Sequence, residues 1–120
     1  LLLIKTDPLT CRLFRLPLSL KSGKHKAPAE PVASLSVPWA TAMDISADGR
    51  RLVAVNMFSG ALIERTASES WSEACQRPAT ILTLPLRLQG ESVCFEPDGQ
   101  SLLLNSEGRN QPLWRVRLPK

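Results

Sequence analysis

Asp44-Ile45-Ser46-Ala47-Asp48-Gly49-Arg50-Arg51-Leu52-Val53-Ala54-Val55 returns fifty residues later as Cys94-Phe95-Glu96-Pro97-Asp98-Gly99-Gln100-Ser101-Leu102-Leu103-Leu104-Asn105. In each copy a short apolar run, an Asp-Gly pair and a second apolar run follow one another. That order is hairpin chemistry: Asp bonds its own turn backbone, Gly accepts positive φ, and in the second copy Pro97 presets φ. Fifty residues before Leu52 stands Leu2, inside the apolar run Leu1-Leu2-Leu3-Ile4. Further along, Cys11-Arg12-Leu13-Phe14-Arg15-Leu16-Pro17 lies over Leu113-Trp114-Arg115-Val116-Arg117-Leu118-Pro119. The chain therefore reads as three copies of one unit, the outer two incomplete.

Period and punctuation turn each unit into strands. The pattern predicts strands near 1–5, 11–16 and 32–37 in the first unit. It predicts 41–46, 51–57, 60–66 and 79–84 in the second, and 91–96, 101–106 and 112–118 in the third. The third strand of the middle unit aligns only to within one residue. Continuous runs such as Leu102-Leu103-Leu104 suggest strands covered on both faces, whereas Arg115 and Arg117 alternating with Trp114, Val116 and Leu118 suggest one wetter face. One short helix is expected from Ser68 to Gln76, with Ser68 as its cap, Trp71 and Cys75 on one face and Pro78 as its stop. The polar stretch Lys21 to Pro28 reads as an exposed connection.

Composition bounds the function. The chain has 120 residues, 43% hydrophobic and 22% charged, which fits one core-forming domain with no segment long enough for a membrane span. A net charge of +4 is scattered among acids rather than gathered into a stripe, which argues against a nucleic-acid partner. Cys11, Cys75 and Cys94 lack metal-ligand spacing and read as small buried hydrophobes. The single histidine, His25, lies in the lysine-rich connection, so a Ser-His-acid triad within the chain is excluded, and no glycine-rich phosphate loop is present.

Four-stranded antiparallel units that bury their strands on both faces are blades of a β-propeller. The fold class is accordingly all-β: about two to three blades, with residues 1–37 ending one blade, 38–87 forming a complete one and 88–120 starting the next. An antiparallel sandwich with two similar hairpins is the alternative. Phe95-Glu96-Pro97-Asp98-Gly99-Gln100-Ser101-Leu102-Leu103-Leu104-Asn105-Ser106-Glu107, followed by Pro112-Leu113-Trp114-Arg115-Val116, resembles the TolB-type, WD-like propeller repeat. The middle unit resembles the start of that pattern, from Ile45 to Leu52. The resemblance implies a non-catalytic module that binds a protein partner or a small ligand at the propeller channel, within a larger propeller protein, in a periplasmic or other extracytoplasmic setting. It also implies two alternatives: a metal-dependent phytase-like or lactonase-like hydrolase, or the gating propeller of a serine peptidase.

No catalytic or cofactor-binding residue is assigned. If Glu96 faces Ser101 across the turn, Glu91 faces Ser106 and lies beside Glu107, so two carboxylates meet at one hairpin end. Glu91 and Glu107 are the candidate metal ligands, for calcium, although calcium wants six to eight oxygens and the rest would come from outside these strands. Asp48 and Asp98 are read as turn formers, and Trp39, Trp71 and Trp114 as packing residues. Two terminal faces rich in Leu, Val and Ile would face water unless further blades or self-association cover them.

Overall fold

The computed structural model describes residues 2–17, 22–24 and 26–119. Ten strands and one helical turn follow in order: β1 (Leu2–Thr6), β2 (Cys11–Arg15), β3 (Glu30–Leu35), β4 (Ala42–Ile45), β5 (Arg51–Val55), β6 (Ser59–Glu64), α1 (Trp71–Ala74), β7 (Thr80–Thr83), β8 (Ser92–Phe95), β9 (Ser101–Asn105) and β10 (Trp114–Arg117). They form three antiparallel meanders: β1-β2-β3, β4-β5-β6-β7 and β10-β9-β8. Only the middle sheet has four strands among the described residues. Lys21 and His25 of the predicted connection lie outside those residues, while Ser22, Lys24 and Lys26 are exposed.

The three sheets are stacked, because β5 is apolar on both sides. Leu52 and Ala54 point into a core shared with Cys11, Leu13 and Leu35 of the first sheet. Val53 and Val55 point into a second core with Val93, Leu102 and Leu104 of the third. Each such Leu or Val, fully withdrawn from water, contributes about 1.5–3 kcal/mol. Three layers with two cores replace the two-layer sandwich. Strand β4 runs beside β8, so the middle and third sheets approach at their first strands. Farther out, α1 packs against β3, and Trp71 and Ala74 fill the space between the first and middle sheets.

The two Asp-Gly hairpins are the same structure. The Ser46 carbonyl accepts from Gly49 N–H at 2.8 Å, and the Glu96 carbonyl from Gly99 N–H at 2.9 Å. The glycines have φ of 68° and 64°, where a Cβ would be strained. Asp48 Oδ1 accepts the Arg50 N–H and Asp98 Oδ1 the Gln100 N–H, at 3.0 and 2.8 Å. The predicted register holds: Ser92 faces Asn105, Phe95 faces Leu102, and Glu96 N–H donates to the Ser101 carbonyl. The one-residue ambiguity resolves with Glu64 opposite Arg51, as Arg117 is opposite Ser101. Leu2 faces Arg15 at the corresponding place, so Leu2 matches Arg51 rather than Leu52.

Other expectations are corrected. The helix begins after Ser70, not Ser68. Ser70 accepts from Glu73 N–H while the Glu73 carboxylate takes the Ser70 N–H, a capping box that Ser68 is not placed to make. Strand β5 stops at Val55 because Asn56 Oδ1 accepts the N–H groups of Phe58 and Ser59 and turns the chain. Strand β3 starts two residues early and carries a register shift against Leu13 and Phe14, where Pro31 can donate no ladder bond. Among the described side chains, the outward faces carry polar groups as well as apolar ones. The first sheet presents exposed Lys5, Arg12 and Ser34 around Phe14, and the third presents Cys94 and Arg115 around a half-buried Leu103. Cys94 is thus exposed, unlike buried Cys11 and half-buried Cys75. Leu103, expected to be covered, is covered on neither flank by a fourth sheet among the described residues.

Candidate binding surface at the loop end

A meander sends its connections alternately to two ends, so the stack has a turn end and a loop end. The turn end carries both Asp-Gly hairpins and the long connections around 16–29 and 65–79. The four ion pairs among the described residues lie there: Arg15–Glu30, Arg51–Glu64, Arg77–Glu69 and Arg115–Glu96. Arg65 Nε donates to the Gly49 carbonyl at 2.8 Å and its Nη1 to the Glu69 carbonyl at 2.9 Å, with the guanidinium stacked over Trp71. Arg51 Nη1 reaches the Gly99 carbonyl of the next sheet at 2.7 Å. Asp48 is held below its ordinary pKa chiefly by the Ser46 hydroxyl, and Glu69 chiefly by Arg77.

The loop end gathers five connections: 7–10, 36–41, 56–58, 84–91 and 106–113. Hydrogen bonds tie them into one surface. Trp39 N–H donates to the Asp7 carbonyl, Asn56 Nδ2 to the Pro38 carbonyl, Leu84 N–H to the Phe58 carbonyl, and Glu107 N–H to the Gln89 carbonyl. Thr41 Oγ1 donates to the Gly90 carbonyl, joining the middle sheet to the third. Seven of the nine exposed large apolar side chains of the described residues stand here: Leu9, Trp39, Met57, Phe58, Leu86, Leu88 and Leu113. Trp39 is 62% exposed and Leu88 84% exposed. Trp39 also has φ of 46°, a left-handed conformation costly for an aromatic residue. The expectation that Trp39 packs between sheets fails, because this turn aims its ring outward. Trp71 does pack on the core, and Trp114 is 38% exposed at the start of β10.

In the 84–91 connection Arg87 is only 2% exposed. Its Nη2 donates to the Asn56 carbonyl at 2.6 Å, while Nε and Nη1 are buried with no partner. Burial alone pushes its pKa down, with no carboxylate contributing. A buried charge without an opposite charge costs several kcal/mol. Gly90 makes the room: a Cβ there would stand 2.8 Å from Arg87 Cζ. Nothing in the sequence pattern pointed to Arg87. The only available signal was a glycine three residues after an arginine set between two leucines and a proline.

Glu91 and Glu107 both lie at this end, and both are exposed. The Glu107 backbone meets Gln89, two residues before Glu91, and Gln89 N–H donates to Ser106 Oγ at 3.1 Å. Among the described residues no group of three or more His, Cys, Asp or Glu side chains is placed to hold a metal ion. Glu91 stands where the middle sheet has Thr41, and Cys94 where it has Asp44, whose Oδ2 accepts the Phe95 N–H at 2.7 Å. The third sheet therefore lacks the side chains with which the middle sheet grips its neighbour. No helix of the described residues is long and apolar enough to cross a membrane. The chain matches no protein-family model, no curated protein and no solved structure.

Proposed function

We propose that the chain is a segment of a β-propeller of the TolB-like type, acting as a non-catalytic module that docks a protein partner on its loop end. The ring is completed by further blades. Support for the blade reading comes from the repeated Asp-Gly hairpins, the meander order within each sheet and the approach of β4 to β8. The docking reading rests on one observation, the gathering of exposed apolar side chains on one end while the ion pairs gather on the other. Large apolar groups set among hydrogen-bonded loops mark interaction sites on otherwise polar surfaces. A protein fits this surface better than a small ligand, because the apolar groups are spread over several loops rather than around one cavity.

The test uses paired baits against the proteome of the source cell, quantified by mass spectrometry. One bait is the wild-type chain and the other the Phe58→Ser, Leu86→Ser, Leu88→Ser variant. The expected result is a partner retained by the wild type and lost by at least about tenfold in the variant, with melting shifted by only a few degrees because exposed substitutions cost about 0.5 kcal/mol or less each. Equal retention by both baits would contradict the proposal.

A further inference from the structure

Arg87 is the one charged group buried among the described residues, and no carboxylate pairs with it. Its main-chain N–H donates to the Met57 carbonyl at 3.1 Å and its Nη2 to the Asn56 carbonyl at 2.6 Å, so the guanidinium is fixed in place. Its Nε and Nη1 donors are left over. Gly90 leaves the space the guanidinium occupies, since a Cβ there would approach Nη1 to 2.9 Å. The flanking Leu86 and Leu88 are 73% and 84% exposed. A fixed arginine with spare donors, flanked by exposed apolar side chains, matches a singly charged oxyanion on an apolar stem.

We propose that Arg87 anchors a carboxylate carried by an apolar segment of the partner protein, the segment lying across Met57, Phe58, Leu86 and Leu88. This deepens the docking reading given above and rests on it. A carboxylate suits the site better than a phosphate group. A phosphate carries up to two charges and three strong acceptors, whereas this end offers one buried cation, with Glu91 and Glu107 exposed at the same end to repel a denser anion. Charge-assisted hydrogen bonds to a fixed guanidinium then give orientation, and the leucines and Phe58 give contact area.

The test is an NMR titration of the ¹⁵N-labelled chain, reading the Arg87 Nε–H resonance. The probes are hexanoate and its neutral counterpart hexanamide, added at constant ionic strength. Hexanoate is expected to move the resonance saturably, and hexanamide to bind at least about tenfold more weakly, the loss of one charge-assisted bond. Arg87→Gln, read with the wild type at the backbone amides of Phe58 and Leu88, should remove the preference. Should that variant fail to fold, the comparison of the two probes on the wild type still decides. Equal effects of the two probes, or no shift with either, would overturn the proposal. Loss of the partner by the triple-serine bait without a preference for hexanoate overturns the carboxylate anchor and leaves the docking surface standing. A preference for hexanoate with equal retention of the baits overturns the docking surface instead.

Discussion

The two ends of the sheet stack are built from the same strands and differ in almost every polar detail. At the turn end, Asp48 and Asp98 close matching turns, and arginines 15, 51, 77 and 115 each meet a glutamate. At the loop end, Trp39, Phe58, Leu86 and Leu88 stand in water while Arg87 is buried without a carboxylate. The repeated end is the one whose residues are explained by folding, because a turn must be closed in every copy. The other end varies from sheet to sheet, and its exposed apolar groups and unanswered charge have no folding rationale. Function belongs where folding leaves residues unexplained.

The largest expected effect lies at the turn end. Gly99→Val forces a β-branched residue to φ near 64°, and Gly49→Val does the same at 68°. Each should lower stability by about 1–3 kcal/mol in denaturant melts, against about 0.5 kcal/mol or less for Leu88→Ser. Equal costs at both ends would erase the contrast.

A smaller effect comes from acid. Asp48, Glu69 and Glu73 at the turn end, and Asp7 at the loop end, have pKa values lowered in the folded chain from 3.8 for Asp and 4.5 for Glu. Their contribution is present above those values and is lost as pH falls through the lower folded ones. Thermal melts should therefore begin to fall as pH drops below about 4.5. Asp48→Asn should flatten part of that slope, since the amide oxygen can still accept from Arg50 N–H but does not titrate. A slope unchanged in Asp48→Asn would show that this turn is not a source of the acid sensitivity.

The smallest expected effect concerns Glu91 and Glu107. With two exposed carboxylates in place of the six to eight oxygens calcium takes, melting should be the same in calcium and in chelator. A rise in calcium that Glu91→Gln with Glu107→Gln abolishes would make the loop end a cation site and recast the module as part of a metal-dependent enzyme.

Much of the fold was legible because hairpins are local. Pro97-Asp98-Gly99 fixes both the turn and the register, so Phe95 opposite Leu102 follows from sequence alone. The middle strand alignment was ambiguous because the loop at 56–58 is shorter than the one at 106–113, and no residue count decides between them. Ser70 was passed over as the cap because Ser68 stands two residues earlier, and only the reach of Glu73 distinguishes them. Cys94 looked buried by its apolar neighbours, yet it takes the outward side of the third sheet. The site was legible only as a place. The register brought Glu91 and Glu107 to the loop end, but the exposure of Trp39 and the burial of Arg87 depend on how separate loops meet in space.

The account is tested most directly by photo-crosslinking from both ends of one molecule. A photoreactive residue is placed at Leu88 on the loop end or at Gln100 on the turn end, and each chain is irradiated in extract of the source cell. The prediction is one partner band from position 88 and none above background from position 100. A band from position 100 alone, equal bands from both, or only a crosslinked dimer of the chain from position 88 would contradict the claim that the loop end is the surface for a protein partner.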